Sequence, residues 1–507
     1  MGTMSEIAEN QYDILIAGSG FAGSLAALIF HNMGFKVCLI EKGQHPRFAI
    51  GESSTPIADI ILRELALKYN LPWLQDFSRY GSWQKSHPEI VCGLKRGFSF
   101  FKHYPGEKFA TDYNHKNELL VAASSDDIQS DTNWLRSDFD AFLVNKIKET
   151  NITYFDFTEI VSAKRDEQWE FQTYRLAEII SMHASFFIDA SGGDGLLKKI
   201  MGVTSSSDGF LTDSFALFSH FDNVPRWTEM LQKDGIPTKD FPYNPDNSAL
   251  HQILDEGWLW QLRFNDGRTS LGLVLDNHQP SFKNIQTEEI WNHIIEKYPS
   301  ISKITEGASL SPQPGKIIRS GRLQRKAEQC YGKGWAALPN TAGFVDPLFS
   351  TGIAHSLSGI KKIADIFYHN RKNENLLYVG LKEYEKKIFE ELKLMDLLIS
   401  GSYKTMAHFD LFNAWSMLYF ATTIAYEQRL LKGELPGYFL NADSLFISDI
   451  VQKSYSDLLE IIKQKEPSVE DISRFTQLIR ERIKPINTAG LLDPLFKNMY
   501  HHSAATL

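Results

Sequence analysis

Tyr12-Asp-Ile-Leu-Ile-Ala17-Gly18-Ser-Gly20-Phe-Ala-Gly23 decides how the rest of the chain is read. An apolar run ending at Ala17 leads into three glycines. A helical pattern follows to about Gly34, and then a second apolar run over residues 36–40. Strand, glycine turn, helix and strand in that order open a dinucleotide-binding fold. Gly18 suits the tight turn, Gly20 lets a pyrophosphate approach the backbone, and Gly23 lets the helix pack on the strand, with Phe21 and Ala22 in the first helical turn. Glu41, closing the second strand with Lys42 beside it, can accept hydrogen bonds from ribose hydroxyls. NAD and FAD both fit this opening.

Working outward, the runs at 184–188 and 334–338 also end in glycine-rich loops, so both are expected to return to the same sheet, the first delivering Asp189 to the cofactor. Between them, residues 257–264 alternate, with Trp258, Trp260, Leu262 and Phe264 on one face. Asn265-Asp-Gly267 turns that strand into a partner at 269–275, a hairpin of an antiparallel sheet expected to cover a substrate cavity. From about Asn373 glycines thin out and helical patterns dominate, as at 377–398 and 447–464. The expected architecture is α/β (α+β). A Rossmann-like FAD-binding domain over 1–372 carries an inserted antiparallel sheet at about 205–330, and a mainly helical region over 373–507 completes the substrate pocket.

With 507 residues, 43% of them hydrophobic, the chain can bury a large core. Its net charge of −9 has no long single-sign run behind it, which argues against nucleic acid or an anionic membrane surface as partner. Cys38, Cys92 and Cys330 are too scattered for a disulfide framework or a thiolate metal site, so no metal is expected. The polar start lacks the basic and apolar parts of a secretory signal, and the apolar stretch at 409–425 is shorter than the roughly 20 residues that span a bilayer. A cytoplasmic small-molecule enzyme is the expectation, with a homodimer compatible with it.

Three further segments bear on the cofactor. Arg47 precedes a turn of small hydroxylated residues that includes Ser53. Arg136 stands before an apolar helical pattern. Both suit a large polar cofactor, although either also suits a solvated surface. Leu338-Pro-Asn-Thr-Ala-Gly-Phe-Val-Asp346-Pro-Leu-Phe349-Ser-Thr351-Gly352-Ile353 places a helix N-terminus beside a glycine-rich loop. Its free N–H groups can stabilise an anionic reduced flavin or a bound halide. The similar run at Asn487-Thr-Ala-Gly-Leu-Leu-Asp-Pro-Leu-Phe496 lacks the Ser-Thr-Gly and reads as a turn.

Together with Cys92-Gly-Leu-Lys95-Arg-Gly-Phe-Ser-Phe100, Glu256-Gly-Trp-Leu-Trp-Gln-Leu-Arg-Phe264 and His408-Phe-Asp-Leu-Phe-Asn-Ala-Trp415, these segments resemble the flavin-dependent halogenases, most closely their phenol-type branch. The resemblance covers most of the chain. It implies a fold like that of p-hydroxybenzoate hydroxylase and FAD delivered already reduced (as FADH2) by a separate NAD(P)H-dependent flavin reductase. It also implies chloride or bromide oxidised to hypohalous acid, with Lys95 relaying the halogen to a small aromatic substrate, free or carrier-tethered. The resemblance puts Thr351 and Gly352 at the halide, and Gly352, Ile353 and Asp346 at the flavin. Tryptophan-specific members carry glutamate where this chain has Phe349, which implies a phenolic ring. Two features depart from the pattern. The family's Trp-x-Trp-x-Ile-Pro is here Trp258-Leu-Trp260-Gln-Leu262-Arg263, and Pro339-Asn340 stands where Gly-Asp is usual. An aromatic hydroxylase and an indole- or tryptophan-type halogenase are the alternatives.

Read from its own residues, Lys95 shares one face of a strand with Gly93, Gly97 and Ser99, and is the only large side chain there. Glycines flanking it mark a place where a ligand or another backbone comes close. A partly desolvated amine with a lowered pKa suits halogen transfer. Trp415 and Thr423 on the C-terminal helices, with Phe349, are the candidate pocket walls.

Overall fold

The computed structural model describes residues 10–193, 195–278, 282, 285–371, 373–464 and 466–505. The polar start at 1–9 lies outside them. Strand Gln11–Ala17 lies between Val37–Ile40 and Glu178–Asp189 in an eight-stranded sheet, with Thr153–Phe155 and Trp335–Ala337 continuing it outward, all parallel. Val37-Cys-Leu-Ile40 is wholly buried, as expected of a parallel strand covered on both faces. Ala17 pairs with Ile40 on one side and Asp189 on the other, and Asp189 pairs with Ala337. Four strand ends therefore stand in line, each running into a loop, which forms the crevice where α/β sheets hold ligands.

A second, nine-stranded sheet contains the expected hairpin: Gly257–Arg263 pairs antiparallel with Thr269–Asp276, Arg263 opposite Thr269 across the Asp-Gly turn. Trp258, Trp260 and Leu262 enter the core shared with the first sheet, whereas Leu259, Leu271, Leu273 and Leu275 enter a second core with Trp291 and Tyr298. Alternation thus sorts residues between two cores, because helices cover the face the sequence would leave to solvent.

Helix Phe409–Leu431 is buried along most of its length, against Pro56–Lys68 of the N-terminal part and against Glu374–Thr405 and Val469–Ile483. Strand Met499–Tyr500 joins the large sheet beside Glu118–Ala122, so the C-terminal region is woven into the rest of the chain. Among the described residues no helix is long and apolar enough to cross a membrane. Trp415 ties two of these helices together. Its indole N–H donates to the Leu398 carbonyl at 2.6 Å, and its ring fills the space over Gly401, where a Cβ would come within 2.0 Å of it.

Replacing Trp415 with Phe removes this buried donor and part of the ring that fills the space over Gly401, leaving the Leu398 carbonyl with its Ser402 hydroxyl partner. Chemical denaturation is expected to show a loss of about 1–3 kcal/mol, with flavin uptake unchanged.

Candidate active site

The four strand ends open into a cleft of about 860 Å³. Gly18 adopts φ +102°, and a Cβ there would lie 2.6 Å from the Ala190 carbonyl oxygen. At Gly23 a Cβ would fall 1.9 Å from the Gly18 oxygen, so this glycine sets helix-on-strand packing. Gly20 differs. A Cβ on it would come no nearer than 3.5 Å to anything, facing the Arg136 guanidinium at the cleft. Gly20 caps helix Phe21–Asn32 with no side-chain cap bond, which leaves first-turn N–H groups directed at the cleft, as an anion requires.

Glu41 accepts from the Ser19 N–H (2.9 Å) and the Gly43 N–H (3.0 Å) and faces Arg47 at 3.3 Å. Burial acts to raise its pKa, but Arg47 and the two N–H groups outweigh it and hold the carboxyl below its ordinary range. Arg136 is buried and anchored by Asp140 at 2.8 Å, and it donates to the carbonyls of Ile50 (2.9 Å) and Gly51 (3.0 Å), pinning the cleft wall. Gly18, Gly20, Phe21, Ala22, Glu41, Lys42, Arg47 and Arg136 all line the cleft. Asp189 lies below it. One of its oxygens accepts from the Ser191 N–H (2.9 Å) and the other is buried without a partner, while burial lifts the carboxyl to about 6. Ser53 lies away from the cleft, bridged to Asn133, its hydroxyl buried and unpartnered. Lys199, which no motif singled out, and Asn340 also line it. Free helix N–H groups, a ribose-competent carboxylate and a bare glycine turn fit an adenine dinucleotide such as FAD.

Thr351 and Gly352 begin helix Thr351–Asn370 after Ser350, which takes a left-handed φ of +55°. They line a small cavity with Asp346 and His355 that shares Asn340 and Ser356 with the wall of the large cleft, and Ile353 is buried in the core. Asp346 is fully engaged, accepting from Ser214 Oγ (2.8 Å), Tyr403 Oη (2.8 Å) and the Leu348 N–H (3.0 Å), while burial raises it to about 6. It braces the loop before the helix.

The Lys95 segment is not one strand. The chain breaks at Arg96 into Cys92–Lys95, paired with Asp131–Trp134, and Gly97–Lys102, which joins the large sheet. The flanking glycines answer to backbones: a Cβ on Gly93 would lie 1.8 Å from the Arg263 oxygen, and one on Gly97 2.0 Å from the Val121 oxygen. Lys95 is 0% exposed. Its Nζ donates to the Ser54 carbonyl and sits 4.1 Å from the centre of the Phe98 ring. Burial pulls its pKa down to about 8 against the opposing effect of Asp131 and Asp59. Those two carboxyls share a hydrogen bond. Burial and then Asp131 raise Asp59 well above its usual range, and burial lifts Asp131 to about 6. Neither was legible as a site residue, since only the register of Cys92–Lys95 on Asp131–Trp134 sets Asp131 opposite Lys95.

Beyond the amine lies an aromatic wall. Phe98 meets Phe420 edge-on at 5.5 Å, and Phe349 stacks on Tyr419 at 4.1 Å and 9°. Thr423 lines the same cavity as Phe98 and Phe420, whereas Trp415 does not, being committed to Leu398 and Gly401.

A nucleotide cleft on a parallel sheet, joined by the 50–54 loop to an enclosed amine under a second sheet, is the architecture of halogenase flavoproteins. The structure of halogenase PltM in complex with phloroglucinol and FAD matches with a TM-score of 0.86 at 24% identity, covering 96% of this chain and 99% of that one. The family described as tryptophan halogenase matches residues 13–76 and 133–423, and the chain belongs to it. Among curated relatives, the monodechloroaminopyrrolnitrin halogenase PrnC of Pseudomonas fluorescens is 23% identical, over 93% of this chain and 85% of that protein. The tetracycline 7-halogenase of Kitasatospora aureofaciens is also 23% identical, over 83% and 75% respectively.

Gly20→Val places a branched side chain in the pyrophosphate's path without a backbone clash. The variant is expected to fold with unchanged circular dichroism and to retain less than about a tenth of wild-type flavin after desalting. A folded variant with stoichiometric flavin would contradict this assignment of the cleft.

Proposed function

We propose that the protein uses reduced FAD, dioxygen and chloride or bromide to halogenate an electron-rich, phenolic ring, with Lys95 carrying the halogen to it. The observation that carries this reading is a fully buried amine with a lowered pKa, set between the flavin-side loop at Ser54 and an aromatic-walled cavity. When bound, reduced FAD would supply dioxygen with two of the four electrons it takes up, the halide giving the other two, so that one oxygen ends in hypohalous acid and the second in water. The first-turn N–H groups of Thr351 and Gly352 offer the halide a site. Arg136 keeps the 50–51 carbonyls in place, and with them the approach to Ser54. Lys95 can donate a hydrogen bond to hypohalous oxygen or take the halogen on nitrogen. Its lowered pKa makes both forms accessible near neutral pH.

The aromatic wall of Phe98, Phe349 and Phe420 and the phloroglucinol named in the PltM complex support a hydroxylated ring. The reduced flavin would come from a separate NAD(P)H-dependent reductase, and three buried free cysteines suit a cytoplasmic location. The test supplies reductase-generated FADH2, bromide and equimolar resorcinol and tryptophan. Bromoresorcinol is expected to exceed bromotryptophan by isotope-pattern mass spectrometry. A hydroxylated product formed without halide would instead make the protein a hydroxylase.

Lys95→Met separates making the oxidant from using it. Flavin affinity is expected to stay within about twofold and organic halogenation to fall by at least about a hundredfold, since the flavin contacts come from other segments. Stability should move the other way. A lysine whose folded pKa is depressed binds its proton less tightly when folded, so wild-type stability rises with pH between about 8 and the unfolded value. Below that window the buried ammonium costs on the order of 2–3 kcal/mol, which the methionine variant avoids. Denaturation at pH 7 and pH 10.5 checks this: the variant is expected to lead at pH 7 and to lose that lead at the higher pH.

A further inference from the structure

Beside Phe98, whose ring the Lys95 amine touches, lies an inner cavity of about 20 Å³, room for one hydroxyl-sized group, with walls that the reading above leaves without a role. There, Glu427 on helix Phe409–Leu431 lines the cavity with Thr55, Phe98, Tyr419, Phe420 and Thr423, under the C-terminal tail at Ser503. Glu427 is 3% exposed, and its one backbone partner is Ala505 in that tail. Thr55, 2% exposed, stands at the N-cap of helix Pro56–Lys68, where a threonine hydroxyl ordinarily accepts a bond from the first turn. It makes no such bond. Its Oγ1 is buried with no partner on a wall of the same cavity. A buried hydroxyl without a partner is costly, and a carboxyl facing the same space supplies the complementary acceptor.

We propose that Glu427 and Thr55 together bind the ring hydroxyl of the aromatic substrate, with Glu427 accepting its proton and Thr55 donating to the oxygen left behind. The inference rests on the halogenase reading and names the group that recognises and activates the ring. The O–H bond breaks with its electron pair kept on the ring oxygen, which raises electron density at the ortho and para carbons. One of these carbons takes the halogen as the halogen–oxygen bond of hypohalous acid breaks, and the hydroxide released leaves as water with a proton from the Lys95 ammonium. The proton lost from the ring carbon restores that ammonium, and Glu427 returns its own to the ring oxygen. Burial first, and then Asp131, lift Glu427 to about 8, so the carboxyl both takes and returns a proton near neutral pH. The other ionisable groups of the cluster are Lys95, Asp59 and Asp131, the last two being carboxyls raised by burial.

The experiment compares resorcinol with 1,3-dimethoxybenzene, which has the same ring without an O–H, on wild type, Glu427→Gln and Thr55→Val. Binding to the flavin-loaded, non-turning protein is measured by calorimetry, and halogenated ring product is followed by isotope-pattern mass spectrometry. Wild type is expected to prefer resorcinol by about tenfold or more, because a site built for a hydroxyl rejects a ring lacking it. Both variants should lose most of that preference while keeping flavin content and thermal stability near wild type. Thr55→Val, close to isosteric, guards against misfolding of the carboxyl variant. Resorcinol preference unchanged within about twofold in both variants would overturn the assignment. Absence of any halide-dependent product from resorcinol or 1,3-dimethoxybenzene in wild type would instead bring down the halogenase reading itself.

Discussion

A protonated amine with no exposed surface can be held only if its surroundings replace water, and the interior around Lys95 is arranged to do so. A carbonyl from the 50–54 loop, the face of Phe98 and the carboxyls of Asp131 and Asp59 come from four separate stretches of chain. Together they leave the amine neutralisable near pH 8, where an ammonium in an apolar pocket would otherwise be driven further down. The first stretch is also the wall that Arg136 pins beside the nucleotide cleft. The compensation of one buried charge therefore ties the cleft to the inner cavity.

The same constraint explains why the antiparallel sheet is covered on both faces. A sheet open to solvent on one side would hydrate Lys95 and let a reactive halogen species escape. Helix Phe409–Leu431, packed on Pro56–Lys68, closes that side, and strand Met499–Tyr500 fixes the tail across the end. Trp415 contributes from a distance, setting the spacing of the two long helices whose partner faces carry Tyr419, Thr423 and Glu427.

The parallel sheet was legible because its signal is local: apolar runs followed by glycines, each doing a job set by backbone geometry. Gly18, Gly20 and Gly23 perform three different jobs, and all three follow from spacing. The inner site was legible only in part. Lys95 stands out, but the strand assigned to it breaks at Arg96, since two glycines that read as space for a ligand are packed against Arg263 and Val121. Asp59 and Asp131 lie 36 residues before and 36 after it in the chain, with nothing but strand register and helix packing to bring them in. Glu427 did leave a trace. It falls four residues after Thr423 and eight after Tyr419, on one helical face.

The two backbone-packed glycines beside Lys95 have a consequence for how such a protein can change. They fix the backbone on either side of Lys95 through main-chain atoms, and Phe98, on the cavity wall, also lies against the amine. The ring-facing wall comes from another element, helix Phe409–Leu431. If the protein works as proposed, substitutions along that helix would reshape the space offered to an aromatic compound while the Lys95 backbone keeps its place. Retargeting toward new acceptors is therefore a problem of redrawing one wall, separable from the chemistry that arms the halogen.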